Sequence, residues 1–339
     1  MEIVARGLDT PWAIAFAPDG RMFVTERPGR VRVIQNGTLL PDAWATLPVS
    51  EKDGAERGLM GIAIDPDFAR NGYVYLAYTY RSGTRDVNKL VRMRDTNGRG
   101  VEETVLVDGA GGGDNHDGGR VKIGPDGKLW WALGEAGGPT NVAQLPDRIN
   151  GKILRLELDG SVSADNPTRG SYVWSMGHRN PQGLAWHPDT GVLYSTEHGP
   201  SMNGTTFCCH DEVNLIVPGG NYGWPTVWGI ARDARYLDPV LESGPSTTWA
   251  PAGAAFVTRG AYRGSLLFAT LAGQHLHRVV FGTDGRTVAF EERLLDRTYG
   301  RLRDVVEGPD GALYVLTSNR DGRGQPKPDD DKVLKVTLR

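Results

Sequence analysis

His116 stands in a glycine-rich run, Asn115-His116-Asp117-Gly118-Gly119-Arg120. An imidazole titrates near neutrality and can take a proton from an alcohol, while flanking glycines let a bulky ligand approach the backbone. A second set of residues carries positive charge. Arg301 and Arg303 lie two apart in a stretch that reads as extended, where such residues face the same way, so they form a two-pronged cationic clamp. Arg179, in Gly177-His178-Arg179-Asn180-Pro181-Gln182-Gly183, adds a third guanidinium. Three of them can converge on a polyanion, although any one alone reads first as a surface or structural ion pair.

The scaffold is legible in a repeat. Hydrophobic residues, then Pro-Asp, then a strand recur at Pro18-Asp19, Pro66-Asp67, Pro125-Asp126, Pro188-Asp189 and Pro309-Asp310. The last gap is about double the others, and a degenerate copy fills it, Ala255-Phe256-Val257 followed by Leu266-Leu267-Phe268-Ala269. Each copy reads as two strands joined by a polar turn, and runs such as Val31–Ile34, Lys152–Leu156 and His277–Val280 supply further strands. Long amphipathic helical patterns are missing, which argues against a doubly wound α/β fold. Six units of this kind predict an all-β, six-bladed β-propeller of four-stranded antiparallel sheets, one domain over residues 1–339. Strands near Glu2–Ala5 and Lys332–Val336 are expected to close the ring within one blade. His116, Arg179, Glu197-His198-Gly199-Pro200 and the Arg301/Arg303 pair then fall in loops between repeat strands, where a propeller's blades converge on its central channel.

A net charge of −3 with interspersed signs offers no field for nucleic acid, and no apolar run is long enough to insert into a membrane. The chain opens without a charged-then-apolar leader, which reads as a cytoplasmic protein or a mature form. Cys208 and Cys209 are adjacent, so they are either free thiols or a vicinal disulfide. Asp329-Asp330-Asp331 reads as a solvated turn before the last strand.

On its motifs the chain resembles the soluble aldose sugar dehydrogenases of the glucose/sorbosone dehydrogenase family, which use pyrroloquinoline quinone (PQQ). The matching pieces are Gly58-Leu59-Met60-Gly61, His116-Asp117-Gly118-Gly119-Arg120, Gly151-Lys152-Ile153-Leu154-Arg155, the Gly177–Gly183 run and Asn221-Tyr222-Gly223-Trp224-Pro225, in that order. The resemblance implies that His116 is the general base and Glu135 the acid that orients it. It implies that Arg179 polarises the quinone carbonyl, that Asn180 helps hold the cofactor, that Arg301 and Arg303 bind its carboxylates, and that Gln144 is a further contact. Carbonyls of Gly199 and Pro200 would ligate a calcium ion beside PQQ, and Glu212 and Tyr222 a second, structural one. Oxygen ligands suit calcium, and a cation beside a quinone makes it the better hydride acceptor. A sugar substrate, an external electron acceptor (a quinone, cytochrome or dye) and a periplasmic or secreted location follow from the same resemblance. Two positions depart from the glucose-specific members: Ala272 follows Leu271 where they carry lysine, and Glu56 stands where they carry glutamine. Both departures point to the broader aldose subgroup.

Two other activities fit a propeller. A calcium-dependent lactonase or hydrolase gathers acidic and amide side chains around its ion, whereas these loops offer arginines and carbonyls. A non-catalytic binding module would have no use for His116 or the arginine clamp.

Overall fold

The computed structural model describes residues 1–138, 141–200 and 208–337. Six antiparallel sheets follow one another along the chain as the blades of a propeller. The first blade comprises Pro11–Phe16, Met22–Glu26, Arg30–Gln35 and Thr38–Leu39, with Ala45–Thr46 added along its third strand. The second comprises Leu59–Ile64 and three long strands, Tyr73–Ser82, Arg85–Thr96 and Arg99–Gly111. Blades three to five begin with Gly118–Ile123, Pro181–Trp186 and Pro251–Phe256. The sixth is built from Leu302–Glu307, Leu313–Thr317 and Val333–Val336, and Glu2–Ala5 completes it with Ile3 opposite Leu334. The expected closure of the ring by the two chain ends is therefore observed.

Local chemistry explains the units. In the first blade the Ala17–Arg21 turn is closed by the Gly20 amide donating to Ala17 O, while Asp19 Oδ1 accepts the Arg21 amide. The same bonds recur around Asp126-Gly127 and Asp310-Gly311. The second strands Met22–Glu26, Leu129–Leu133, Leu193–Glu197, Leu266–Thr270 and Leu313–Thr317 are buried throughout, because each blade is sandwiched between two others. Trp131 packs among Tyr75 and Leu90 of the preceding blade, whereas Trp130 packs among Leu184 and Leu193 of the following one. Leu129–Leu133 accordingly reads as a continuous apolar run, and the other four open on apolar residues and end on polar ones that are buried all the same.

The six innermost strands pack against one another around the axis, the last against the first. All six change register near the cavity end, between Pro11/Ala13, Leu59/Ile62, Gly118/Arg120, Pro181/Gly183, Pro251/Ala254 and Leu302/Asp304. Such bulges re-aim side chains. One consequence is an ion pair on the axis. Arg120 Nη1 lies 3.1 Å from Asp304 Oδ2, which also accepts the Ile14 amide at 3.0 Å, and Arg120 Nε donates to Gln182 O at 2.8 Å. The Arg120 guanidinium sits 4.3 Å above the Trp12 ring. A Cβ on Gly253 would fall 1.7 Å from Asp304 Oδ1, so only glycine fits there. Residues of five blades thus meet at one buried pair.

The acidic run before the last strand is solvated only at Asp329. Asp330 and Asp331 are buried, Asp331 accepting the Asn319 amide at 2.6 Å and the Thr317 hydroxyl at 3.0 Å. Burial pushes the Asp331 carboxyl up to about 6 in spite of the amides that donate to it. Its work is to hold residues 317–320, the loop next to the sixth blade's contribution to the site. Among the described residues no helix is long and apolar enough to cross a membrane.

Candidate active site

The loops at the bulged ends of the inner strands enclose a cavity of about 260 Å³. His116, Glu56, His198, Pro200, Arg301 and Arg303 are in its wall. His116 adopts the left-handed backbone conformation, φ +65°, which non-glycine residues take up only when their surroundings hold them there. Three contacts do so. The His116 amide donates to Glu56 Oε2 at 3.1 Å, its carbonyl accepts the Ala136 amide at 2.8 Å, and its Nδ1 lies 2.6 Å from Glu135 Oε1. A Cβ at Gly134 would stand 1.9 Å from His116 O, which explains the glycine before Glu135. With the carboxylate accepting from Nδ1, the lone pair is left on Nε2, the nitrogen free to face the cavity.

Glu56 is the hub beneath this histidine. Its Oε2 also accepts from Asn180 Nδ2 at 2.9 Å, and its Oε1 from Arg323 Nη1 at 3.0 Å. Burial opposes its charge, yet His198, His116 and Arg323 around it outweigh that and hold the carboxyl well below its usual range. Asn180 is fully buried, and its Oδ1 accepts the Gly118 amide at 3.0 Å, so its amide ties the fourth blade to the His116 loop.

The arginines divide into two places. Arg301 donates to Asp321 through Nε and Nη2, both at 2.8 Å. Arg303 Nη2 lies 3.8 Å from the same carboxylate, and its Nη1 donates to Gln182 Oε1 at 2.7 Å. The two guanidinium groups thus meet at an internal carboxylate, Asp321. Burial, with Arg301 and Arg27 adding repulsion, brings the Arg303 guanidinium down to about 9. Arg179 stands apart, behind His198. Its Nη1 donates to His198 O at 3.3 Å, its guanidinium lies 5.2 Å from the Trp224 ring, and it borders a smaller space with Gly199, Glu197, Glu212 and Tyr222. His198 and Pro200 are shared by the two spaces.

The remaining candidates are structurally engaged. Gly199 donates its amide to Asp211 Oδ1 at 2.9 Å, and a Cβ on it would strike the Cys209 and His210 carbonyls, so this turn is dense in backbone oxygen. Glu212 accepts from the Gly229 amide at 2.6 Å and from Asn214 Nδ2 at 2.9 Å, and burial beside Glu197 pushes its carboxyl up to about 8. Tyr222 donates its hydroxyl to Leu215 O at 2.6 Å. Gln144 is bonded to Asn221 and to Trp224 O, and is not in the cavity wall. Cys208 and Cys209 form a vicinal disulfide in that wall.

Two histidines compete with His116 for a role. His178 is fully buried with both nitrogens occupied, Nδ1 by Glu197 at 2.8 Å and Nε2 by Ser175 at 2.9 Å. His198 faces the cavity with Nε2 unpartnered, and burial brings its imidazole down to about 4. Sequence reasoning overlooked Arg27 and Asp321, both in the cavity wall. The only signal was their position in inter-strand loops of the first and last blades.

Asp117, next to His116, sets a pH dependence of stability. It is buried, with Oδ1 accepting from Asn88 Nδ2 at 2.9 Å and from the Gly113 amide at 3.0 Å, and Oδ2 unpartnered. Burial pushes its carboxyl up from 3.8 to about 7. The folded state therefore favours the neutral acid, a contribution fully present below the unfolded value and lost as pH rises through about 7. Between about pH 5 and about pH 8, wild type is expected to lose roughly 1–3 kcal/mol more than Asp117→Asn in urea unfolding. Parallel curves for the two proteins would exclude this.

The comparisons with known proteins agree with one another. A Thermus thermophilus protein named as an oxidoreductase of the glucose dehydrogenase type superposes with TM-score 0.90 at 48% identity, covering 98% of each chain. The PQQ-bound aldose sugar dehydrogenase of Streptomyces coelicolor superposes with TM-score 0.87 at 35% identity, covering 99% of this chain and 96% of that one. The aldose sugar dehydrogenase of Escherichia coli is 32% identical over 359 aligned positions, spanning 95% of this chain and 91% of the relative. The family model for glucose/sorbosone dehydrogenases matches residues 8–326. With that match over nearly its whole length, the chain belongs to the glucose/sorbosone dehydrogenase family, and it is an oxidoreductase.

Proposed function

We propose that this chain oxidises the anomeric carbon of aldoses to aldonolactones, using PQQ and calcium and passing the electrons to an external acceptor. The observation that carries the reading is the His116–Glu135 pair at 2.6 Å in the wall of a cavity also lined by Arg301 and Arg303. The donors present suit the cofactor. Nε of both Arg179 and Arg303 is buried without a partner, and guanidinium groups are the natural hosts for a tricarboxylate. The carbonyl-dense turn at Gly199 and Pro200 suits a hard cation, and Glu212 with the Tyr222 carbonyl would serve a second.

When bound, PQQ supplies a two-electron quinone acceptor, and calcium a Lewis acid beside it. The protein's own residues do the rest. His116 Nε2 takes the hydroxyl proton, and Glu135 keeps the imidazole in the required tautomer and steadies the imidazolium that results. Glu56 fixes the backbone of His116 and binds Asn180, so base and wall move as one piece. Arg179 would donate to the quinone oxygen and Arg301 and Arg303 to carboxylates, with Asn180 supporting the wall through Glu56, while Gln144 would act only through Asn221 and Trp224. A hydrolase would need acidic side chains free to gather round its ion, and the carboxylates of this wall are already engaged: Glu56 by Asn180 and Arg323, Asp321 by Arg301, and Asp211 by the Gly199 and Trp249 amides.

Protein stripped of metal and cofactor is expected to reduce an electron-accepting dye with aldoses only when PQQ and calcium are both restored. The rates for glucose, galactose and xylose should then lie within a few powers of ten of one another. Full activity with a nicotinamide cofactor alone would overturn the reading.

A further inference from the structure

A further cation, Arg27, stands in the cavity wall. Arg27 follows the strand Met22–Glu26 of the first blade and is 3% exposed. Its backbone is fixed from both sides, the amide donating to Thr10 O at 3.0 Å and the carbonyl accepting from the Leu59 amide at 2.9 Å. A Cβ on Gly58 would come within 2.3 Å of Arg27 O, so the second blade is pressed directly against it. Its side chain is another matter. Nε is buried without a partner, and among the described residues the guanidinium makes neither a hydrogen bond nor an ion pair. Asp321, Glu51 and Glu56 act on it only through space, too weakly to offset the burial that disfavours its charge.

The neighbouring cations differ. Arg301 is bonded to Asp321, and Arg303 reaches Gln182 and lies close to the same carboxylate. A buried guanidinium with an unpartnered Nε and no ion pair is costly, and a carboxylate that forms two parallel bonds to the fork offsets much of that cost. Building on the proposed use of PQQ, we propose that Arg27 is a further carboxylate-binding residue of the cavity, contributed by the first blade. Arg301 and Arg303 already share an internal carboxylate, whereas Arg27 is the one of these three whose guanidinium forms no ion pair.

The test is calorimetric titration of the metal-free, cofactor-free protein with PQQ in the presence of calcium, beside thermal melting of the same protein without PQQ. Arg27→Met is expected to weaken PQQ binding at least tenfold while raising the melting temperature of the cofactor-free protein, because an unpaired buried charge is gone. Arg27→Lys keeps the charge without the fork and should fall between. Arg70→Met, on an exposed helical turn, serves as the control. If wild type binds PQQ and Arg27→Met binds it equally tightly, the assignment of Arg27 is overturned while the use of PQQ stands. The assignment also falls if Arg27→Met leaves PQQ affinity intact and instead raises KM for a uronic acid but not for glucose, since the carboxylate would then be the substrate's. Failure of wild type itself to bind PQQ removes the proposed function, and this inference with it.

Discussion

Replacing His116 with alanine is expected to slow reduction of the bound quinone by an aldose on the order of 10²–10⁴-fold, the range for loss of a positioned general base. Folding should survive. The residue's backbone contacts to Glu56 and Ala136 do not need its ring, and the ring is partly exposed to the cavity rather than packed in the core. PQQ affinity should change little, because the groups proposed to hold the cofactor lie elsewhere in the wall. Glu135→Gln should cost less. The amide can still meet Nδ1, but it no longer steadies the imidazolium that forms when the proton is taken. Stopped-flow absorbance of the bound cofactor separates this step from re-oxidation by the acceptor. A variant without His116 that reduces the cofactor at close to the wild-type rate would remove the histidine from the mechanism. His198, with Nε2 unpartnered in the same wall, would then be the group to test; His178, both nitrogens bonded and fully buried, would not.

The second large effect is on stability. Asp304→Asn is expected to destabilise the fold by about 3–5 kcal/mol, measured by urea unfolding, since it strands a charged Arg120 in the interior. Arg120 is 1% exposed and Asp304 is fully buried. The Arg120 Nη2 atom already has no partner. Replacing both residues with apolar ones of similar volume should recover much of the loss, because the cost comes from the uncompensated charge rather than from the absence of the bond. If Asp304→Asn alone unfolds at the wild-type urea concentration, the axial pair is not what joins the blades.

This pair shows why the two kinds of inference diverge. Arg120 belongs to the same short motif as His116, and its charge invites a role on the ligand. The structure puts it on the axis, facing a partner 184 positions away in sequence. Arg27, unremarkable in the sequence, has its guanidinium unpaired in the cavity wall.

What the amino-acid sequence determined by itself was whatever local chemistry decides. The Pro-Asp-Gly turns, the strands on either side of them, the count of six units and the closure by the two chain ends all rest on bonds between residues a few positions apart or on a repeated pattern. The His116–Glu135 pairing was legible through resemblance, since the two residues flank one hairpin, nineteen positions apart. Only the tertiary structure decided which charged residues face a ligand and which face each other. Alternation along a strand should tell the two apart, but every inner strand changes register within its first few residues, at the very end where the site is built. Past such a bulge, residues two apart need no longer share a face, and neighbours such as Arg303 and Asp304 are both drawn to the centre. Burial was hidden for a related reason. Asp331 reads as a surface acid, and no local pattern marks Asp117 as buried. The radial stacking of blades covers both, and that stacking joins segments that are distant in the chain.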